Sequence, residues 1–167
     1  IGRGGIVSTL PKYPDNILIS GYPRNSRGTI TSNSRVYHNY NLKTGRKKVI
    51  TRESEERRGI GFDQDANPRF AFSYDGGSNS TEYLYREKDD SDWEIIYTRN
   101  RADFEEFSVE GFDPENPDDL LVLAHNGNDK LGLWSFDPKE KKFNELIYRR
   151  SDGDVIGLRS HSNRYTN

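Results

Sequence analysis

The chain contains no cysteine and no methionine, and its apolar content is low. Without cysteine there is no disulfide framework, no thiolate metal ligand and no thiol nucleophile. Apolar residues make up only 31% of the chain, and no apolar run approaches the roughly 18 residues that a membrane helix needs. The formal net charge is −2, so the chain does not have the excess of basic residues that is typical of nucleic-acid or anionic-membrane binding. We therefore expect neither a nucleic acid nor a membrane as a partner.

The first residues, "IGRGGIVSTLP", contain neither an initiating methionine nor the apolar core of a signal peptide. We therefore expect the chain to be a piece of a longer protein. The compartment stays open between cytoplasm and periplasm, because a chain without cysteine is compatible with both.

Aromatic residues compensate for the scarcity of aliphatic ones, with 10 Tyr, 8 Phe and 2 Trp. Each can bury a large area while keeping a polar edge, which suits a sheet-rich domain. Short apolar runs, often alternating, lie between clusters of Gly, Pro, Asn and Asp, and this pattern is typical of strands and turns. The pattern predicts an all-β chain with strands at Asn16–Gly21, Arg35–Asn41, Lys47–Arg52, Arg69–Tyr74, Glu82–Glu87, Trp93–Thr98, Leu120–Ala124, Leu131–Phe136, Phe143–Arg149 and Val155–Arg159.

The sequence repeats itself. "GFDQDANPRFAFSYDG" at residues 61–76 returns as "GFDPENPDDLLVLAHN" at residues 111–126. Each of these lead-ins precedes an aromatic strand, a charged turn and another strand, as in "EYLYREKDDSDWEIIYTRN" and "LGLWSFDPKEKKFNELIYRR". A sheet unit that recurs every 40–50 residues or so is the signature of propeller blades, because one small sheet cannot bury both of its faces alone.

We therefore predict β-propeller blades of antiparallel sheet, three to four in number, forming a partial propeller. The whole of residues 1–167 forms one such region, with repeat units at roughly 10–60, 61–110 and 111–160. A partial propeller has exposed sheet edges, and we expect these edges to permit oligomer formation.

The repeat units resemble the non-catalytic propeller of the prolyl oligopeptidase family of serine peptidases, which includes dipeptidyl and acylaminoacyl peptidases. The resemblance rests on "VYHNYNLKTGRKKVI", "YREKDDSDWEIIY" and the long stretch from "GFDPENPDD" to "RRSDGDV", and it covers roughly residues 10–156. In that family the propeller restricts which peptides reach an α/β-hydrolase domain. The resemblance therefore implies that this chain gates and contacts peptide substrates.

The resemblance also implies a role for Glu105 and Glu106 in "ADFEEF". Dipeptidyl peptidases of this family use a glutamate pair in the propeller to bind the free amino terminus of the substrate. An ion pair of this kind gains strength in a desolvated cleft. The other interpretation of the pair is a solvated acidic turn.

No catalytic residue is predicted. The nucleophile elbow Gly-x-Ser-x-Gly does not occur in the chain, and Ser160, His161 and Ser162 stand together without that context. Hydrolysis would therefore belong to the parent protein and not to this chain, and we expect no cofactor.

No metal site is predicted either. Asp63, Asp65 and Asn67 alternate as in a calcium loop, but Pro68 stands where that loop needs Gly. We predict a turn whose carboxylates cap backbone groups.

Three functions remain open at this stage. The first is the peptidase gate, whose partners would be a peptide substrate and a separate catalytic domain. The alternative is a stand-alone module for protein interaction. The third is a carbohydrate-active propeller of the sialidase type, which would need paired carboxylates and an arginine cluster that the sequence does not display as a recognisable set.

Overall fold

The computed structural model describes residues 4–89 and 91–158. This part of the chain contains twelve β-strands and no helix, and hence no helix long and apolar enough to cross a membrane. The strands are β1 (Gly5–Ser8), β2 (Asn16–Gly21), β3 (Val36–Asn41), β4 (Lys47–Arg52), β5 (Arg58–Phe62), β6 (Pro68–Asp75), β7 (Ser80–Tyr85), β8 (Glu94–Asn100), β9 (Phe107–Phe112), β10 (Leu120–Ala124), β11 (Gly132–Asp137) and β12 (Lys142–Arg149).

The strands form three four-stranded sheets in which neighbours in the chain are neighbours in space. The orders are β1-β2-β3-β4, β5-β6-β7-β8 and β9-β10-β11-β12, and the registers are antiparallel. A four-stranded antiparallel meander is the form of a propeller blade. This confirms the prediction of an all-β chain made of such sheets.

Hairpins within the sheets close through short polar side chains. Before β4, the Oδ1 atom of Asn41 accepts hydrogen bonds from the backbone N–H groups of Lys43 and Thr44, at 3.1 and 2.9 Å. Before β12, the Oδ1 atom of Asp137 accepts from the N–H groups of Lys139 and Glu140, at 2.8 and 3.0 Å. In such Asx turns a side-chain oxygen accepts the hydrogen bonds of turn N–H groups that have no partner on the strands. The same type of turn reverses the chain in the first and third sheets.

The described residues fall into two compact units, 4–73 with 86–89 and 91–93, and 74–85 with 94–158. In the first unit, Leu10 and Leu18 are fully buried, and the ring of Tyr37 packs against Phe62 with centroids 4.9 Å apart. The second unit has an aromatic core around Phe107, which is 1% exposed and stacks on Tyr97 at 4.1 Å. Aromatic rings thus contribute to both cores alongside buried aliphatic side chains.

Three strands escaped the sequence prediction, namely β1, β5 and β9. Their pairings contain register shifts, so alternation along the strand is interrupted. In β5, a Cβ atom at Gly61 would lie 1.9 Å from the ring of Phe70, so the ring occupies the place of a side chain. These three segments are strands because they pair with a neighbouring strand, and the local residue pattern does not reveal that pairing.

The predicted strand Val155–Arg159 was wrong over residues 155–158, and Arg159 lies outside the described residues. Val155 donates one backbone hydrogen bond to Leu131, at 3.1 Å, and its buried side chain packs with Leu123 and Leu133. The apolar alternation of this segment reflects a single anchoring side chain and not a hydrogen-bonded ladder. Ile156, by contrast, is 93% exposed.

Candidate functional site

The glutamate pair singled out in the sequence lies in the second unit, immediately before β9. The Oε2 atom of Glu106 is 2.7 Å from Nη1 of Arg99, and its backbone N–H donates to Nδ1 of His125 at 3.0 Å. The Oε1 atom of Glu105 accepts from the backbone N–H of Gly127 at 3.1 Å. The two carboxylates therefore tie their own segment to β8 and to the turn that follows β10. Their predicted role in binding an amino terminus stays a prediction.

An exposed aromatic ring lies beside this pair. Phe104 is 75% exposed and stacks on the buried ring of His125, with centroids 4.6 Å apart. Because Nδ1 of His125 accepts a backbone hydrogen bond, the proton of the neutral imidazole belongs on Nε2. The structure thus uses His125 to position residues 104–106.

A second constellation, in the first unit, was not singled out in the sequence. It is a pocket of about 390 Å³ on the first sheet, which we call the basic pocket. Its lining residues come from the end of β2 with the loop after it, from β3 and from β4: Ile19, Ser20, Gly21, Tyr22, Pro23, Arg24, Val36, His38, Lys47 and Arg52.

Strand register brings these side chains to one face of the sheet. Val36 is paired with Gly21 on one side and with Arg52 on the other, and His38 is paired with Ile19. Paired residues in an antiparallel sheet point to the same face, and residues two apart on a strand do so as well. Cationic side chains of β4 therefore lie beside apolar side chains of β2 and β3.

The loop wall of the basic pocket is itself an ordered hairpin. Asn25 donates from its backbone N–H to the carbonyl oxygen of Thr29 at 3.0 Å, and Thr31 donates to that of Pro23 at 2.9 Å. The Oδ1 atom of Asn25 accepts from the N–H groups of Arg27 and Thr29, both at 3.0 Å. These hydrogen bonds close the hairpin that carries Pro23 and Arg24 of the pocket wall.

The electrostatics of the basic pocket are one-sided. No carboxylate lines it, and within residues 4–89 and 91–158 none forms an ion pair with Lys47 or Arg52. Burial lowers the pKa of His38 below its usual value, and the positive charges of Lys47 and Arg52 lower it further. Both charges are therefore felt at the His38 ring, as expected of three groups that share one pocket.

The calcium-like motif of the sequence forms a capped turn, as predicted. The Oδ1 atom of Asp63 accepts from the N–H groups of Asp65 and Asn67, each at 2.9 Å, and its Oδ2 atom accepts from Nε of Arg69 at 2.8 Å. Asp65 pairs with Lys12 at 3.0 Å. In the part of the chain that the structure describes, no group of three or more His, Asp or Glu residues is arranged to hold a metal ion. Ser160, His161 and Ser162 lie outside the described residues.

The sequence contained one signal for the basic pocket that went unused. The turn between β3 and β4 sets the hairpin register that pairs Tyr40 with Lys47, which assigns Lys47 to the face of His38. The pairing of Val36 with Arg52 depends in addition on a register shift between Tyr37 and His38, which the turn does not indicate. Tyr22 and Arg24 line the pocket from the loop after β2, and a loop has no periodic pattern from which their positions could be predicted.

Comparison with known proteins adds little to these observations. No protein-family model and no curated protein matches the chain. Among solved structures it is similar to TolB from Acinetobacter baumannii, with 12% identity and a TM-score of 0.47 over 81% of this chain and 30% of that one. It is also similar to an uncharacterized protein from Listeria monocytogenes EGD-e, with 13% identity and a TM-score of 0.49 over 86% of this chain and 40% of that one. The chain thus spans less than half the length of either structure.

Proposed function

We propose that this chain is a non-catalytic binding module that holds a peptide segment of a partner protein. The observation that supports this proposal is the basic pocket, which combines an apolar floor with a cationic rim. Its volume of about 390 Å³ lies within the range of small-ligand sites, and three of its ten lining residues, Arg24, Lys47 and Arg52, are cationic.

The chemistry of the basic pocket favours binding over catalysis. His38 is its one imidazole, and no carboxylate stands among the lining residues to orient it. A general base is ordinarily held in position by a third group. No carboxylate of the lining residues fills that role for His38, whereas lysine and arginine at the rim supply hydrogen-bond donors for recognition.

Peptide titrations followed by NMR test this proposal. A set of peptides with varied sequence is added to the isotopically labelled chain, and backbone amide shifts are recorded. We expect saturable shifts in residues 19–24 and 36–38, with no peptide cleavage detected by mass spectrometry. Peptide turnover would overturn the non-catalytic assignment, and the absence of any saturable shift would overturn peptide binding.

The peptidase gate is a second candidate, favoured by the position of the glutamate pair. Glu105 and Glu106 lie side by side on one segment, and the side chain of Glu106 stays 45% exposed although it pairs with Arg99. Two adjacent carboxylates could bind the ammonium group of a peptide amino terminus.

The test compares peptides with free and with acetylated amino termini. Under this second candidate, the free form binds more tightly, and Glu105→Gln with Glu106→Gln removes the difference. Glu110→Gln is the matched control, because Glu110 is exposed on β9. Equal binding of free and acetylated peptides would rule the gate contact out.

A further inference from the structure

We infer that the basic pocket recognises the free C-terminal carboxylate of a peptide that ends in an apolar residue. This inference deepens the proposed binding function and rests on it. It names the group that the cations hold and the side chain that the apolar floor accepts.

The cations at the rim have unused donor capacity. Lys47 and Arg52 have exposed side chains, and within the described ranges neither is neutralised by a carboxylate. Arg24 donates from Nη1 to the carbonyl oxygen of Gly28 within its own hairpin, and the guanidinium group has five N–H donors in all. A carboxylate between these groups would offset their mutual repulsion and accept charge-assisted hydrogen bonds.

The apolar residues lie directly beside the cations. Ile19 and Val36 are 8% and 4% exposed, and Val36 is the cross-strand partner of Arg52. A C-terminal residue carries its carboxylate and its side chain on the same Cα atom, so both can reach adjacent polar and apolar surfaces together. An internal Asp or Glu has its carboxylate at the end of the side chain and brings no apolar group with it. The adjacency favours a chain terminus.

The Tyr22 side of the basic pocket is already ordered. The hydroxyl oxygen of Tyr22 accepts from Nε of Arg35 at 3.3 Å, and the guanidinium of Arg35 lies 5.7 Å from the centre of the Tyr22 ring. With the hairpin at residues 23–31 also closed by backbone hydrogen bonds, the walls need little reorganisation to accept a ligand.

His38 reports on the charge within the basic pocket. Lys47 and Arg52 face it from β4, Ile19 faces it from β2, and its own strand contributes Val36. Burial and the two cations lower the pKa of His38 and so favour the neutral ring. A bound carboxylate would add a negative charge beside it and thereby raise this pKa.

The decisive experiment uses the 167-residue chain and a fluorescently labelled pentapeptide, Gly-Ser-Gly-Ala-Leu, with a free carboxylate. Fluorescence anisotropy compares it with the same peptide as a C-terminal amide and with a peptide whose acid is an internal Glu. We expect the amide and the internal acid to bind about 10-fold more weakly or worse, because a charge-assisted contact is lost. An amide that binds equally well would overturn carboxylate recognition while leaving peptide binding in place. Equal binding by the internal acid would overturn the preference for a terminus.

Matched variants locate the contact. Arg52→Gln and Lys47→Gln should each weaken binding of the free-acid peptide by about 5-fold or more and leave the amide unaffected. Lys48→Gln is the control, since Lys48 is exposed, pairs with Asn39 and points to the opposite face. Unchanged binding in both pocket variants would overturn the site, and circular dichroism confirms that each variant is folded.

Two further readouts separate the possible ligands. Saturation with the pentapeptide should raise the pKa of His38 in an NMR titration, and an unchanged pKa would overturn the inference. Inorganic phosphate at the same concentration should fail to displace the peptide, and full displacement would assign the pocket to a free anion. If no peptide of any kind binds, the proposed function falls together with the inference.

Discussion

The hydroxyl group of Ser135 donates a 2.8 Å hydrogen bond to Oδ2 of Asp119, and both residues are buried. The same oxygen accepts from Nδ2 of Asn144 at 2.8 Å. One carboxylate thus joins β11 and β12 to the turn that precedes β10. Its removal would leave two donors without their acceptor.

Asp119→Ala should therefore destabilise the protein by about 1–3 kcal/mol, the cost of leaving the buried Ser135 hydroxyl without its acceptor. Urea denaturation followed by tryptophan fluorescence gives the free energy of unfolding. Asp118→Ala is the matched control, because Asp118 is exposed and adjacent in the chain. Equal effects of the two substitutions would contradict the role of Asp119.

Phe107→Ala should be the most destabilising single truncation in the aromatic core of the second unit. Phe107 contacts Tyr83, Tyr97 and Phe136 with ring centroids 4.8, 4.1 and 5.3 Å away. Truncation of a large aromatic in a packed core costs about 3–5 kcal/mol, because transfer free energy is lost and a cavity forms. Thermal denaturation measures the effect. In Phe104→Ala the lost ring is mostly exposed, and a comparable drop there would argue against core packing as the cause.

Alkaline stability should depend on Tyr37. Its hydroxyl donates to Oε1 of Glu53 at 2.9 Å, and burial, followed by this hydrogen bond, raises the pKa of Tyr37 well above its ordinary value. The neutral phenol is thus favoured in the folded state. Its contribution is complete below the ordinary phenol pKa of about 10 and is lost as the pH rises from there towards the folded pKa.

Tyr37→Phe should therefore cost about 1 kcal/mol at neutral pH and reduce the loss of stability between neutral pH and about pH 11. Urea denaturation at both pH values provides the comparison. Tyr148→Phe serves as the control, since Tyr148 is 55% exposed. A Tyr37→Phe variant that loses as much stability in alkali as the unmodified chain would refute this explanation.

Asp63→Ala should open the turn before β6 without any dependence on calcium. Asp63 accepts hydrogen bonds from two backbone N–H groups and from Arg69, so we expect a loss of about 1–3 kcal/mol. Asp65→Ala should cost less than about 1 kcal/mol, because its pair with Lys12 is exposed. Thermal midpoints with calcium and with a chelator test both points. A calcium-dependent rise in the unmodified chain would show that the motif binds the ion after all.

The sequence was sufficient for those strands whose apolar pattern is continuous. Asn16–Gly21, Lys47–Arg52 and Leu120–Ala124 were predicted with the bounds that the structure has. Their side chains pack on sheet faces, so apolar and polar residues alternate along the sequence with a period of two. The prediction failed at β5, where glycines and a register shift interrupt the alternation. It also failed at Val155, where one buried side chain gave the appearance of a strand pattern.

The candidate sites show the same division between local and long-range information. The adjacency of Glu105 and Glu106 is visible in the sequence, but their contacts with Gly127 and Arg99 depend on how the chain returns. For the basic pocket, residue types alone identified nothing. Arg24, His38 and Arg52 are ordinary residues of their separate segments until the sheet brings them together.

The amino-acid sequence by itself thus determined that the chain is all-β, that it repeats a sheet unit, and that aromatic rings take part in its core. Each of these properties follows from composition and from periods of a few residues. Only the tertiary structure decided where bulged strands pair, which carboxylates are occupied by internal hydrogen bonds, and which cations line the basic pocket. Strand register decides these points, because it selects the side chains that share a face, and register results from contacts between residues far apart in the chain.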